Sequence, residues 1–193
     1  MSNSMLRISI LAGCVSLLPQ AAKAQEVVHA MVGTVSSINA AAKTIFLRTD
    51  DGSTSEFKAM NDAQTPIKFD KHIRTDATAA DEFQKSGERV IVYYYGYDNP
   101  LTAVALRSLG PGPFIKVTGT VVKLARGAHL LTVKDQSGLI QSFKIAADTV
   151  VEATSGASEG LRLNSEKGDQ VRVNATTVNG VLTALFINTL VAN

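Results

Sequence analysis

The sequence predicts an all-β protein built from two tandem OB-like barrels of five strands each, preceded by a cleaved signal peptide. Three observations carry this. Apolar and polar residues alternate over short runs separated by Gly- and Asp-containing turns, which is the period of strands. The same order of glycine, apolar and turn positions occurs twice along the chain, and the first 24 residues have the layout of an export leader. At 193 residues, 45% hydrophobic and 19% charged, the composition is that of a globular chain. The single cysteine excludes an intramolecular disulfide framework and a Cys-cluster metal site.

In the leader, residues 1–24, Arg7 is the only charge before an apolar run from Ile8 to Leu18. Pro19 breaks that run, and Ala22-Lys23-Ala24 supplies the small residues that precede a cleavage site, so the mature chain is expected to begin at Gln25. A second reading competes, because Leu11-Ala12-Gly13-Cys14 resembles a bacterial lipobox, in which Cys14 would carry a lipid anchor. Either way the expected location is beyond the inner membrane: periplasmic or secreted in the first case, lipid-anchored in the second. The full chain has 19 basic and 17 acidic side chains, and cleavage removes Arg7 and Lys23 but no acid. The mature chain is therefore formally neutral. That argues against nucleic acid or an anionic membrane as partner, since both reward a surplus of Lys and Arg. No run after the leader is long and apolar enough for a transmembrane helix.

The duplication gives the domain organisation. Gly33-Thr34-Val35 recurs as Gly119-Thr120-Val121, Gly52 as Gly138, Phe57-Lys58 as Phe143-Lys144, and Asp62 as Asp148. Beyond a drop in offset, Gly87 matches Gly168, Val90 and Val92 match Val171 and Val173, and Leu101-Thr102-Ala103 matches Leu182-Thr183-Ala184. The drop places an insertion in the first copy around Pro66 to Ala80. The units are the first barrel over 25–110, a Pro-stiffened linker over 111–113 and the second barrel over 114–193. So short a linker predicts that the barrels touch.

Within the second copy Ile115, Val117, Gly119 and Val121 alternate with Lys116, Thr118 and Thr120, giving one core face and one wetter face. Leu131 and Val133, then Phe143 and Ile145, flank the Asp135-Gln136-Ser137-Gly138 turn of a hairpin, matched by Asp50-Asp51-Gly52 in the first copy. A polar connection follows, with helical character expected over Thr78 to Lys85. A fourth strand opens after Gly87 or Gly168, and a fifth carries Val104 and Leu106, or Leu185 and Ile187.

This order of Gly-x-Val, Gly-turn, Phe-Lys, Asp, Gly-Asp/Glu-x-Val-x-Val and Leu-Thr-Ala resembles bacterial exported small β-barrel repeats classed as a domain of unknown function. The resemblance covers nearly all of the mature chain. It implies a non-catalytic module of the cell envelope and transfers no functional residues.

The residue inventory agrees with an expectation of no enzymatic activity, no catalytic residues and no cofactor. His29, His72 and His129 are scattered, and the chain lacks the zinc-protease helix, nucleophile-elbow, phosphate-loop and dinucleotide signatures. A cryptic hydrolase remains an alternative, to be recognised by a histidine within hydrogen-bond reach of Ser, Asp or Glu in a pocket. A soft-metal reading is the other alternative: His29 and Met31 lie two apart on one strand and Met60 closes the third, a set suited to copper(I). The set resembles that of OB-like periplasmic copper chaperones, but their Trp and paired methionines are absent. The corresponding Ile115, Val117 and Ala146 of the second copy are apolar.

All four tyrosines lie in Tyr93-Tyr94-Tyr95-Gly96-Tyr97. Aligning Val90 and Val92 with the core pair Val171 and Val173 turns Tyr94 inward, opposite Ala175. Ile91, Tyr93, Tyr95 and Tyr97 then face outward where the second copy has Arg172, Asn174 and Thr176. The strip Ile91, Tyr93, Tyr95 and Tyr97 is the predicted contact surface of a binding or interaction module. Its expected partner is a protein, peptide or glycan of the envelope, with the second barrel, the insertion and another copy of the chain as further uses of the same face.

Overall fold

The structure is a computed structural model and describes residues 25–60 and 65–190; the predicted leader, Cys14 and Asp62 lie outside the described residues. The elements run β1 (Glu26–Val27), β2 (His29–Asn39), β3 (Thr44–Thr49), β4 (Thr54–Ala59), β5 (Ile67–Lys68), α1 (Lys71–Arg74), β6 (Thr78–Ala79), β7 (Arg89–Tyr95) and β8 (Leu101–Ser108) in the first half. The second half has β9 (Ile115–Ala125), β10 (Leu130–Asp135), β11 (Ile140–Ala153), β12 (Gly156–Glu159), β13 (Gln170–Val178) and β14 (Val181–Leu190).

Two closed five-stranded barrels stand in tandem. The first runs β4-β3-β2-β7-β8 and closes through parallel β4 and β8; the second runs β10-β9-β13-β14-β11 and closes through β10–β11. Both contain the same parallel contact, because β11 also runs parallel to β14. Closure removes the free edges that a small sheet would otherwise expose.

The strand registers repeat from one barrel to the other. Met31 lies opposite Val92 as Val117 lies opposite Val173, and His29 opposite Tyr94 as Ile115 opposite Ala175. Leu47 pairs with Val35 as Val133 pairs with Val121, and Lys58 with Thr102 as Lys144 with Thr183. Even the irregularities coincide: the register between the last two barrel strands slips between Tyr93 and Tyr94, and between Asn174 and Ala175. Gly33 and Gly119 occupy one position for one reason. A Cβ on Gly33 would press on the Arg48 carbonyl oxygen and on Leu47, and one on Gly119 would run into the Lys134 carbonyl, so the coiled first strand passes its neighbour only without a side chain.

Each barrel has its own interior. The first is filled by Val35, Ile45, Leu47, Phe57, Val90, Val92 and Leu106, the second by Val121, Leu131, Val133, Phe143, Val171, Val173 and Ile187. The slip in the last strand changes the expected inward set. Ala103 and Leu106 face the first interior while Val104 and Ala105 turn away from it, and Ala184 and Ile187 face the second interior while Phe186 turns away. A period of two does not survive an extra residue.

A third apolar cluster joins the barrels. Ala30 and Val32 of β2 with Val28 just before it, Ile91 and Tyr93 of β7 and Ala105 of β8 pack with Val150 of β11 and Phe186 of β14. The insertion closes over this joint: Ile73 is buried in it, and the ring of Phe69 lies 4.9 Å from that of Tyr93. The helical segment expected over Thr78 to Lys85 is corrected. Thr78–Ala79 pairs with β8 as a strand, Ala80 and Phe83 are buried against the first interior, and the helix is the single turn Lys71–Arg74.

The joint divides the tyrosine strip, and of the uses expected for that face, packing against the second barrel and the insertion is the one that Ile91 and Tyr93 take. Ile91 and Tyr93 do point out of their barrel, but both are 0% exposed because the second barrel and the insertion cover them. Tyr94 points inward as expected, its ring 5.5 Å from Phe57 in an edge-on contact. Tyr95 is half-buried at the end of β7, and Tyr97 stands in the following loop at 94% exposure. The four residues therefore form no continuous outer surface.

Truncating Tyr93 removes an aromatic ring from the joint, whereas truncating Tyr97 removes none. Tyr93→Ala is expected to cost about 3 kcal/mol in denaturant unfolding and Tyr97→Ala less than about 0.5 kcal/mol. Equal, small losses would contradict the position of Tyr93 in the joint.

Candidate functional site

Where the apolar joint ends, the two barrels part into a cleft of about 380 Å³. The first barrel supplies residues 29–32 of β2, Tyr94 of β7 and Thr49 to Ser55 of the β3–β4 hairpin; the second supplies Glu152 to Thr154, Arg172, Phe186, Asn188 and Thr189. This is a volume suited to a small molecule, with an apolar wall and convergent polar groups.

A carboxylate from one barrel grips the first strand of the other. Glu152 places Oε1 2.6 Å from His29 Nδ1, and its Oε2 accepts a hydrogen bond of 2.7 Å from the Ala30 backbone N–H. An ionised carboxylate can only accept, so His29 donates through Nδ1, and its Nε2 has no hydrogen-bond partner among the described residues. Burial raises the Glu152 pKa above the ordinary glutamate value, and the bonds from His29 and Ala30 oppose that rise. Burial, and then the negative charge of Glu152, raises the Tyr94 pKa, so its phenol remains a hydrogen-bond donor at neutral pH.

The other acids of the cleft are tied into the hairpin. Asp51 accepts from the Thr49 hydroxyl and from the Ser53 N–H and hydroxyl, and these bonds hold its carboxyl well below the usual range. Asp50 sits at the base of the hairpin between the barrels. Arg89 Nη2 donates to both its oxygens at 2.8 Å, and Lys116 of the second barrel lies 2.6 Å away. Burial works against the charge on Asp50, but Lys116 and Arg89 outweigh it and lower the pKa. The same Arg89 Nη2 donates to buried Asn174 Oδ1 at 2.7 Å, and the guanidinium stacks 5.2 Å from the Phe114 ring centroid. On the far side of the joint, Arg107 donates to the Asp148 backbone carbonyl and side chain. These polar clasps fix the barrels around the cleft.

The predicted metal set is divided. His29 and Met31 both line the cleft, while Met60 lies outside it, its N–H bonded to the Ala103 carbonyl at 2.8 Å. Met31 Sδ accepts from the Ser55 hydroxyl at 3.7 Å. Among the described residues no group of three or more His, Cys, Asp and Glu side chains is placed to hold a metal ion, and no helix is long and apolar enough to cross a membrane. His72 faces Glu159 at 3.7 Å on the surface, and His129 takes a left-handed backbone conformation before β10.

Sequence reasoning passed over Glu152 and treated Arg172 only as a polar contrast to the tyrosines. A signal was present in the apolar runs Val28-His29-Ala30-Met31-Val32 and Val90-Ile91-Val92-Tyr93-Tyr94. Runs that do not alternate belong to strands buried on both faces, and the polar residue that interrupts such a run needs a partner from the covering element.

No family model and no curated protein matches the chain.

Removing the imidazole isolates the Glu152 carboxylate. His29→Leu is expected to lower stability by about 2 kcal/mol at neutral pH. Glu152→Gln removes the charge that His29→Leu leaves unpaired, so the double variant is expected to recover most of that deficit. Urea unfolding of wild type, His29→Leu and His29→Leu/Glu152→Gln at about pH 7 checks this; a double variant no more stable than His29→Leu would contradict the pairing.

Proposed function

We propose that this is an exported module of the cell envelope, periplasmic or secreted, that binds a ligand without transforming it, and that its ligand site is the cleft between the barrels. The single observation that carries the reading is the difference between the twins at equivalent positions. Where the second barrel has the aliphatic Ile115, Val117 and Ala175, the first has His29, Met31 and Tyr94; Met31 and Tyr94 pack against the first interior as Ile115 does against the second, and all three also line the cleft. An aliphatic filling is available to this fold, as the second copy demonstrates, and a polar, half-buried replacement serves recognition better than packing. The export leader and the resemblance to exported small-barrel repeats support the location, with a lipid anchor on Cys14 as the alternative to free release.

This reading keeps the first barrel as the contact element but moves the contact from the strip of Ile91, Tyr93, Tyr95 and Tyr97 to the cleft at the end of the joint. A second reading, acid–base hydrolysis, is favoured by the His29–Glu152 pair, which has the form of a base held by a carboxylate. Against it, Ser55 gives its hydroxyl to Met31 and Ser53 bonds within the hairpin, so neither is activated by His29.

Thr154 is exposed on the cleft rim, and Thr154→Trp would fill the cleft without entering either interior. Protein recovered natively from an envelope extract and analysed by native mass spectrometry is expected to carry a small-molecule mass that Thr154→Trp lacks. The same retained mass in both proteins would overturn the cleft as the site.

A further inference from the structure

Four charged side chains other than His29 line the cleft, and three of them are spoken for. Asp50 is held by Arg89 and Lys116, Asp51 by Thr49 and Ser53, and Glu152 by His29 and the Ala30 N–H. The fourth is Arg172 on β13, half-buried, with no hydrogen bond or ion pair among the described residues. Asp51 is near enough for the positive charge of Arg172 to help lower its pKa, yet the two form no ion pair. Arg172 replaces the apolar Ile91 of the twin strand, so the duplication does not require a cation there.

We propose that the cleft takes a small amphipathic monocarboxylate, its carboxylate on the Arg172 guanidinium and its apolar body against Met31, Val32, Tyr94 and Phe186. The inference rests on the cleft being the ligand site. A guanidinium presents a planar fork of donors that matches a carboxylate two bonds at a time, and a half-buried one leaves those donors poorly hydrated until an anion arrives. The carboxylates of Asp51 and Glu152 in the same cleft disfavour a doubly charged anion such as phosphate, for which Arg172 alone supplies too little charge. They also make the site selective for a ligand with a single negative end. The apolar wall gives that ligand a reason to prefer a hydrocarbon body over a bare acetate. The Tyr94 phenol, kept protonated by its surroundings, and the free Nε2 of His29 lie along the same wall as further hydrogen-bonding groups. The carboxylate could end a free organic acid or a peptide chain, and the chemistry recognised is the same.

The test is calorimetric titration of the full-length protein with octanoate, octanol, octylamine, acetate and inorganic phosphate, repeated with Arg172→Gln and Thr154→Trp. A hydrophobic tripeptide with a free C-terminus and its amide separate the two sources of carboxylate: binding of the free-ended peptide over the amide assigns chain ends, and binding of octanoate alone assigns free acids. The expected result is octanoate bound at least about tenfold more tightly than octanol, octylamine, acetate or phosphate, with Arg172→Gln erasing the tenfold margin. Octanol or octylamine binding as well as octanoate, no binding of any carboxylate, or full octanoate affinity in Arg172→Gln would overturn the proposal. If another probe binds and Thr154→Trp abolishes it, the carboxylate inference fails while the cleft stands. If Thr154→Trp leaves binding of every probe unchanged, the cleft fails with it.

Discussion

A strand in a closed barrel has an inner and an outer face, and in β7 both are buried. Val90 and Val92 fill the first barrel's interior, while Ile91 and Tyr93 are pressed into the joint with the second. The same holds for β2, whose Val35 faces inward and whose Ala30 and Val32 face the joint together with Val28 just before it. Burial of the outer face makes a pair of small barrels into one body with an apolar seam, and the cleft exists only because that seam stops at His29 and Glu152. An independent barrel would present Ile91 and Tyr93 to water, at a cost of roughly 1.5–3 kcal/mol for each large apolar side chain.

The polar contacts around the seam do a different job. Asp50, Arg89, Lys116 and Asn174 at one margin and Arg107 with Asp148 at another connect groups whose geometry is directional. Apolar packing would tolerate a slide of one barrel over the other; a carboxylate shared by Arg89 and Lys116 does not. Glu152 belongs to this set and also to the cleft, since the atoms that grip His29 and Ala30 set the direction in which the imidazole presents Nε2. Fixing the joint and shaping the site are thus performed by the same residues.

Much of the architecture was legible because the chain carries an internal ruler. Two copies of Gly-Thr-Val and of the Phe-Lys pair set the register of every barrel strand, and the inward turn of Tyr94 follows from its pairing with the position of Ala175. The ruler says which residues leave the interior and nothing about what waits outside. Ile91 and Tyr93 were therefore placed on the correct face, with the second barrel and the insertion named among what could cover it, but the residues that cover it were not. Covering that face takes Phe186 and Val150 from the second barrel and Phe69 and Ile73 from the insertion, contacts that no local pattern encodes. The slip in the last strand of each barrel was equally invisible, because a bulge is a property of two strands together. Of the site, His29 and Met31 were noticed for their chemistry, whereas Glu152 sits well over a hundred residues away and acquires meaning only when the barrels meet.

The central claim is that the two barrels form a fixed pair whose joint creates the cleft. Backbone nitrogen-15 relaxation of the mature protein measures this directly, because two barrels on a flexible linker tumble separately and a joined pair tumbles as one. The account predicts that amides of both barrels fit a single rotational diffusion tensor of the whole chain's size. Separate, faster correlation times for the two halves would contradict it.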